Sequence, residues 1–577
     1  MIGVLSKPVE ARAAEEFFHL FKTPWEFVVP GHSYEVVIST LEDIPDDLSA
    51  RALIVYQSHP TRLDERTGVA AAEKRAWVEW GEAEFPIYGD LAVLHTAQPV
   101  ALHKRGTREN VGGLARSTRP VVRIGFDLFY EVGFLLSKGQ PSANALLPTL
   151  EVHISLVRAI LASLGVSFVE VPPAPAGYDC LACLTHDVDF VGIRDHKCDH
   201  TMWGFLYRSL IGSLIHAIRG DDSWAKCRRN WAAALSLPLV HVGLLKDWWL
   251  EFDRYAEMER KFGSTFFFIP FRNVAGTVNG VRAPYRRAAK YDVARLRNEV
   301  GRLLKKGCEI GLHGIDAWQD AQSGSVEMRR IRELTGQDRM GTRIHWLYWS
   351  EDTPKAIEEA GFSYDSTFGY NEAVGFRAGT SQPFCPLSAE RILELPLNIQ
   401  DSALFFSDHM RLSEAEALNV CKAVIECVAS SGGAVVVNWH TRSLSPERLW
   451  GDAYAQLLEE IQGHRVWFGT AQQVVDWFRK RRALRFESVG SRDGGTRIAV
   501  TSPDGGSDPA FTVRVHHPVP LSGRPDFALR ASAFTDYRWD GGKAWEAVRC
   551  APDYEHAGPP GSIAASATAI PPFDAVE

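Results

Sequence analysis

The chain has 577 residues, of which 45% are hydrophobic and 23% are charged, and its formal net charge is -8 at pH 7. This length exceeds what one hydrophobic core serves, so we expect several domains of ordinary globular composition. The negative charge argues against a nucleic-acid-binding protein, because phosphate recognition needs a basic surface. The basic run at residues 479–482 has a simpler interpretation as the charged last turn of a helix.

Three features of the sequence favour a cytoplasmic protein. The N-terminal residues lack the basic start and apolar core that are typical of a secretory signal. No apolar run reaches the length of about eighteen residues that predicts a membrane-spanning helix. The nine cysteines are scattered and odd in number, which suits a reducing compartment. Cys180 and Cys183 have CxxC spacing, but no second pair follows, so a structural role is favoured.

The first part of the chain has the pattern of a small α/β domain. Residues 1–125 alternate short apolar runs with helical stretches, which predicts this domain. Residues 126–179 are predicted to be helical and to end in the proline-rich joint VPPAPAGYD. No glycine-rich phosphate loop follows the first predicted strand, and nothing in this region has a catalytic pattern.

The pattern changes after the joint. Residues 180–482 contain apolar runs that alternate with helices, which indicates parallel strands covered on both faces. Seven or eight repeats predict a distorted (β/α) barrel, interrupted in its first repeat by a long insertion at 191–250. Short strands between Gly, Pro and Asp turns predict a β-sandwich-like domain at 483–556. Residues 557–577 have the composition of a disordered tail.

Ionisable side chains in the barrel region are concentrated where the apolar runs end. In chain order they are His186, Asp187, Asp189, His313, Arg343, His345 and His440. Barrel enzymes build their sites at the carboxyl ends of strands, and an ionisable group in mid-strand would need a buried partner. We therefore expect these residues to share one site. Carboxylates and imidazoles together suit zinc or a similar divalent ion.

An ordered series of motifs runs through the same region. LTHDVDF, STFFFIP, EIGLHG, TRIHWL, AGFSYDST, GFRAGT, LELPL and VNWH follow one another over residues 180–482. The series resembles the NodB-homology polysaccharide deacetylases of the carbohydrate esterase family 4 type, especially the branch associated with capsule, exopolysaccharide and O-antigen synthesis. The segment VVRIGFDLFYEVGFLLSKGQP is similar to the domain that precedes such barrels.

The resemblance implies a role for each matching residue. Asp187 would be the general base that activates water, and His440 would protonate the leaving amine. Asp189 and His313 would be ligands of a divalent metal ion, with zinc favoured. Arg343 would orient the catalytic aspartate.

One position departs from the family pattern. Ala317 stands where the second histidine of an HxxxH metal motif is expected. A catalytic zinc ion has three protein ligands and a water, so a third ligand must be found elsewhere. His345 is the favoured replacement, His186 and Asp316 are the alternatives, and loss of the metal is a further possibility.

Other side chains have less specific patterns. Arg377, in GFRAGT, is predicted to bind substrate or to brace Asp187, and a surface ion pair is the alternative. Trp439 is predicted to be able to stack on a sugar ring, although core packing is the slightly favoured explanation of such a residue. Asp365, in YDST, fits a turn better than a role in orienting His440.

The predicted reaction is hydrolysis of an N-acetyl group on a saccharide made in the cytoplasm and carried on a nucleotide or a lipid. The insertion at 191–250 fits either helices packed on the rest of the protein or an interfacial helix in contact with a membrane. One rival is a metal-dependent amidohydrolase that acts on a small cyclic amide. Another is a metal-free carbohydrate-binding or scaffolding protein, which the departure at Ala317 keeps open. The sequence does not indicate an oligomeric state.

Overall fold

A computed structural model describes residues 1–62, 64, 73–95, 100–116, 119–220, 222–492, 495–517, 532–542 and 544–546. The predicted disordered tail lies outside the described residues, and so does part of the predicted C-terminal domain. The described chain is a mixed α/β protein with an N-terminal sheet, a central curled parallel sheet and small antiparallel sheets near the C-terminus.

The N-terminal part is built on a six-stranded sheet that is parallel except at one edge. In spatial order its strands are Gly112–Arg116, Pro120–Ile124, Ala50–Tyr56, Tyr34–Ser39, Ile2–Leu5 and Trp25–Phe27. Short antiparallel strands beside it are Glu73–Lys74, Trp77–Trp80, Ala83–Pro86, Asp90–Leu91 and Leu102–Lys104. Its helices are Ala11–Phe21, Leu128–Ser137 and Thr149–Ser163. All three helices pack in the same apolar cluster as the sheet, so the stretch predicted as a separate helical segment shares the N-terminal core.

The central sheet is parallel throughout, as the apolar repeats predict. Its strands are Cys180–Val188, Ser264–Phe268, Glu309–Gly314, Thr342–Ile344, Tyr364–Asp365, Leu393–Glu394, Ile399–Gln400, Ala434–Asn438 and Val466–Phe468. Leu393–Glu394 pairs with Tyr364–Asp365, and Ile399–Gln400, which follows almost at once, pairs with Ala434–Asn438. The two ends of the sheet therefore belong to one chain segment, and the sheet curls as expected for a distorted barrel.

Helices connect the strands of the curled sheet. They are Phe252–Met258, Arg297–Lys305, Ala321–Thr335, Thr353–Ala360, Asp401–Phe405, Glu414–Ser431, Gly451–Gln462 and Ala471–Ala483. The helix Glu414–Ser431 begins with a capping box formed by Ser413 and Glu416, and it ends at Gly432 in the left-handed conformation. Such signals set the helix ends locally, so each following strand starts at a defined point.

The insertion folds into two neighbouring helical segments. The first consists of His200–Tyr207 and Ser213–Arg219 joined by the π-helical stretch Arg208–Gly212, and the second is Trp224–His241. Their inner faces form an apolar cluster with Trp249, so the insertion packs on the protein along one side. None of the helices in the described part of the chain has the length and apolarity needed to cross a membrane.

The C-terminal strands form two small antiparallel sheets. One contains Arg485–Arg492, Gly495–Thr501 and Trp545–Glu546. The other contains Phe511–His516 and Phe534–Trp539, together with Phe168–Glu170 from the segment before the proline-rich joint. This pairing attaches the C-terminal strands to the chain that leads into the barrel.

The buried side chain of Arg481 joins three parts of the chain. It lies in the last turn of the helix Ala471–Ala483 and is 1% exposed. Its Nη2 atom donates to the carbonyl oxygens of Leu20, at 2.9 Å, and Val171, at 2.7 Å. The neighbouring Arg482 pairs with Glu16 at 2.6 Å. The basic run does end a helix, but two of its side chains bind the N-terminal part.

Replacing Arg481 with methionine should lower the free energy of unfolding by about 3 kcal/mol, because buried carbonyl oxygens lose their donors. The apparent midpoint of urea unfolding, followed by circular dichroism, measures the loss. Arg465→Met is the matched control, since the Arg465 side chain is 71% exposed and its pair with Asp179 should contribute less than about 1 kcal/mol. An equal shift for both variants would contradict the bridging role of Arg481.

Candidate metal-binding active site

Three of the predicted residues bring ligand atoms together at one end of the curled sheet. Asp189 follows the first strand of that sheet, His313 lies near the end of the third, and His345 follows the fourth. His313 Nε2 lies 3.0 Å from His345 Nδ1. Each of these nitrogen atoms lies 3.2 Å from Asp189 Oδ1. The three atoms therefore form a nearly equilateral triangle.

The size and chemistry of this triangle fit a divalent ion. Ligand atoms about 2.0–2.2 Å from one ion are roughly 2.8 to 3.6 Å apart, between octahedral and tetrahedral arrangements. Asp189 Oδ1 is buried and makes no regular hydrogen bond among the described residues. His313 Nδ1 donates to the carbonyl oxygen of Arg343 at 2.9 Å, which leaves Nε2 of the neutral ring free to act as a ligand.

The backbone that presents His345 is strained. Trp346 and Leu347, the next two residues, have φ angles of 63° and 50°, in the left-handed region that non-glycine residues rarely adopt. The buried guanidinium of Arg287 donates to the carbonyl oxygen of His345 at 2.9 Å and so holds this turn. Such strain, about 1 kcal/mol or more per residue, is typical of functional positions.

The alternative third ligands lie elsewhere. His186 is fully buried, and its Nε2 atom lies 3.0 Å from Glu259 Oε2 on the other side of the strand. Asp316 Oδ1 accepts from the backbone N–H of Thr277 at 2.9 Å. Ala317 is buried among apolar residues of the barrel core. Of the three candidates weighed from the sequence, His345 is the one that the structure brings to Asp189 and His313.

Asp187 lies beside the triangle and is held by two donors. Arg343 Nη1 donates to Oδ1 at 3.0 Å, and Asn438 Nδ2 donates to Oδ2 at 2.8 Å. Asp187 Oδ2 also lies 3.8 Å from His313 Nε2. Burial raises the pKa of this carboxyl group, but the positive charge of Arg343 beside it has the opposite effect, and the pKa lies below its usual range. Asp187 is therefore an ionised carboxylate next to the ligand atoms.

The guanidinium of Arg343 is fully buried and fixed on every side. Its Nε and Nη2 atoms donate to the carbonyl and hydroxyl oxygens of Ser366, both at 2.9 Å. Its Nη1 atom also donates to Thr185 Oγ1 at 2.7 Å, and its plane lies 4.7 Å from the ring centre of Phe267. These contacts leave the guanidinium one orientation, toward Asp187, which suits the bracing role predicted for it.

His440 approaches a different carboxylate oxygen of Asp189 from the one that His313 and His345 approach. Its Nε2 atom is 3.7 Å from Asp189 Oδ2, and its Nδ1 atom donates to Asp401 Oδ1 at 2.5 Å. The second oxygen of Asp401 accepts from the backbone N–H of His440 at 2.8 Å and from the hydroxyl of Ser443. Burial lowers the pKa of His440, but the charge and hydrogen bond of Asp401, with the nearby aspartates, raise it to about 9. His440 is therefore protonated at neutral pH.

Sequence reasoning missed Asp401 and Asn438. Asp401 directly follows the short strand Ile399–Gln400, so the strand-end criterion used for the other residues could have found it. Asn438 is the last residue of its strand. Asp365 does not orient His440, because its Oδ1 atom accepts from Thr367 Oγ1, two residues further along the chain.

The predicted substrate-binding residues are not brought into the site. Arg377 Nη1 donates to the carbonyl oxygen of Gly369 at 2.9 Å, and its guanidinium lies 4.4 Å from the ring centre of Phe368. The brace on Asp187 is Arg343 instead. Trp439 is 1% exposed and packs in the barrel core, so its ring offers no face to a sugar in this conformation.

Comparisons with known proteins give distant matches. No protein-family model and no curated protein matches the chain. A solved structure of a Mycobacterium smegmatis protein assigned to the polysaccharide deacetylases is 20% identical, covers 53% of this chain and 94% of its own, and has a TM-score of 0.33. Puue allantoinase is 14% identical over 54% of this chain and 93% of its own, with a TM-score of 0.33. Agd3, a carbohydrate deacetylase, is 9% identical over 93% of this chain and 98% of its own, with a TM-score of 0.35. At values this low, the description of the fold rests on the strand pairing and that of the site on its contacts.

The purified protein should bind one divalent ion, and His345→Ala should weaken that binding at least about 100-fold. The loss of a direct ligand should lower the metal affinity more than the loss of a residue that only hydrogen-bonds to a ligand, which costs about 10- to 100-fold. Elemental analysis gives the stoichiometry, and competition with a chelating dye gives the affinity. Asp316→Asn is the control and should keep the ion. Absence of stoichiometric metal after zinc reconstitution, or full retention by His345→Ala, would contradict the ligand set.

Proposed function

We propose that the protein is a metal-dependent deacetylase that hydrolyses an N-acetyl group on a saccharide. One observation carries the proposal: the triangle of Asp189, His313 and His345 lies between an ionised carboxylate and a protonated imidazole. Asp187 approaches from the side of His313, at 3.8 Å, and His440 approaches Asp189 from the other side, at 3.7 Å. This is the arrangement that amide hydrolysis with separate base and acid groups requires.

A divalent ion held by Asp189, His313 and His345 would polarise the acetyl carbonyl and lower the pKa of a water molecule. Asp187 takes the proton of the attacking water, since Arg343 and Asn438 keep its carboxylate ionised and oriented. The water oxygen bonds to the acyl carbon.

His440 completes the reaction on the leaving side. Its Nε2 proton goes to the amide nitrogen as the C–N bond breaks, which releases acetate and a free amine. Its Nδ1 proton stays on the ring and is donated to Asp401 Oδ1, so the ring keeps one orientation. Asp187 and His440 hold opposite protonation states at the same pH, because a cation lies beside the first and an anion beside the second.

The half-buried ring of Trp346 supports a saccharide substrate. Its centre lies 5.8 Å from the ring centre of His345, and the guanidinium of Arg286 lies 5.8 Å from it. An aromatic face beside the metal ligands suits stacking on a sugar ring. We extend the proposal to a cytoplasmic, nucleotide-linked or lipid-linked intermediate of surface-polysaccharide synthesis, in line with the family that the motifs resemble.

The substrate proposal is tested by acetate release from N-acetylglucosamine oligosaccharides, with allantoin as the cyclic-amide comparison. We expect acetate from the oligosaccharides and no ring opening of allantoin. The reverse result would favour the amidohydrolase alternative. If the metal-loaded protein binds the saccharide but does not turn it over, the result would favour a carbohydrate-binding or scaffolding protein.

Asp187→Asn and His440→Ala should each lower kcat by roughly two to four orders of magnitude, because each removes one proton-transfer group. Both variants should keep the metal ion, since neither residue is a proposed ligand. Asp338→Asn and His464→Ala are the matched controls, because both residues precede strands of the curled sheet and so lie at the end opposite the site. Both should keep wild-type rates. Turnover at the wild-type rate in either test variant would show that the acid–base assignment is wrong.

Asp401→Asn should move the alkaline limb of the kcat/KM profile to lower pH by about one unit or more. The reason is that Asp401 raises the pKa of His440 to about 9, and only the protonated ring donates to the amine. A full pH profile of the variant measures the shift. A uniform loss of activity with an unmoved limb would assign Asp401 a purely structural role.

A further inference from the structure

The outer surface of the insertion is exposed and apolar. Of the 24 large hydrophobic residues that are exposed in the described part of the chain, 13 lie between Trp203 and Leu245. Contiguous apolar surface of this kind is rare on soluble proteins unless it contacts a partner or a membrane. The insertion is therefore the part of the described chain where exposed apolar side chains are concentrated, and its surface is a candidate contact surface.

On the first helical segment, the exposed apolar residues recur at the spacing of one helix face. They are Trp203, Tyr207, Leu210, Ile211, Ile215 and Ile218. Of the residues between them, Phe205, Ser209, Ser213 and Ala217 are buried and face inward. This segment thus packs with one side and exposes an apolar stripe on the other.

The second helix, Trp224–His241, repeats the arrangement. Its exposed apolar residues, which continue just past its end, are Trp224, Trp231, Leu235, Leu239 and Val242. Steps of seven, four, four and three residues keep a side chain on one face at 3.6 residues per turn. Leu237 and Val240 point to the opposite, buried face. Trp231 Nε1 donates to the carbonyl oxygen of Leu210 at 3.0 Å, so the two stripes adjoin. Together they form what we call the apolar face.

The charge around the apolar face is basic. Residues 200–246 contain six arginine and lysine residues against two aspartates, although the whole chain carries a net charge of -8. Arg219, Arg228 and Arg229 are exposed and have no ion-pair partner among the described residues. A row of tryptophan and aliphatic side chains with interspersed arginines complements an anionic lipid surface.

We propose that the apolar face docks the protein on an anionic membrane surface. A second copy of the chain fits the observations less well, because a two-fold interface would set the same arginines against one another. Docking is a property of the folded chain and does not depend on the proposed enzymatic function.

The insertion that carries the apolar face is also connected to the chain segments of the candidate site. The insertion leaves the barrel just after Asp189, and it contacts the loop that follows His440 through the buried side chain of Glu447. Arg208 donates to Glu447 at 3.1 Å, and the backbone N–H of Glu447 donates to Asn230 Oδ1 at 2.6 Å. If the proposed function holds, this position brings the site to the membrane, where a saccharide on a lipid carrier is presented.

Flotation of the full-length protein with lipid vesicles tests the docking. We expect the protein to float with vesicles of phosphatidylcholine that contain about 30% phosphatidylglycerol, and much less with phosphatidylcholine alone. Raising the salt concentration should weaken the binding, because exposed charges are screened.

Substitutions on exposed positions locate the surface. Combining Ile218→Ser, Leu235→Ser and Leu239→Ser should lower the partition coefficient at least about tenfold. Combining Val9→Ser and Val281→Ser is the matched control, because these side chains are 87% and 69% exposed outside the insertion. It should bind as the wild type does.

A second set tests the charge: Arg219→Gln, Arg228→Gln and Arg229→Gln together should reduce the preference for anionic vesicles. All three combined variants should keep the wild-type circular dichroism spectrum and melting temperature, since the changed side chains are exposed.

The proposal is overturned if the wild-type protein floats with neither vesicle, or if the serine variant of the insertion binds as well as the control. Dimers that this variant abolishes, without vesicle binding by the wild type, would identify a second copy as the occupant. Acetate release from a soluble N-acetyl sugar should be unchanged in the serine variant. If even the wild type releases no acetate, the proposed function fails while the flotation result still decides the docking.

Discussion

The ion pair between Arg343 and Asp187 is the interaction around which the site is arranged. A fully buried guanidinium needs a compensating charge and donors that are all satisfied, and removal of either partner would leave an unpaired buried charge. Arg343 meets this constraint with Asp187, Thr185 and Ser366. Its own carbonyl oxygen accepts from His313, so one residue fixes both the carboxylate and the free nitrogen of a neighbouring imidazole.

Two carboxylates in this small volume have different tasks because their partners differ. Asp187 faces the cation of Arg343, and its pKa lies below the usual range. Asp401 faces His440 and raises the pKa of that ring. Opposite charges thus keep Asp187 unprotonated and His440 protonated within a few ångströms of the same candidate metal-binding atoms. Asp189, which His313 and His345 both approach, separates Asp187 from His440.

Two elements packed on the barrel differ in how they contact it. Arg481 and Arg482 bind the N-terminal part through carbonyl oxygens and Glu16, which makes that junction polar and specific. The insertion buries one apolar face against Trp249 and leaves a second one exposed. Burying the second face as well would stabilise the fold, so its exposure points to a partner outside the chain.

Local pattern was enough to predict much of this protein. Apolar runs that alternate with helices indicated the curled parallel sheet, and ionisable residues at the ends of those runs indicated a shared site. Both patterns are visible in short stretches of sequence, because they depend only on residues that are near one another along the chain. The sequence favoured His345 as the third ligand but could not exclude His186 or Asp316, because that exclusion depends on which side of a strand each side chain leaves. It could not pair Asp401 with His440 or show that Trp439 is buried, since strand register and packing between distant segments decide those contacts. The two faces of the insertion were likewise decided by tertiary packing, because its apolar residues have the same chemistry on the buried side and on the exposed one.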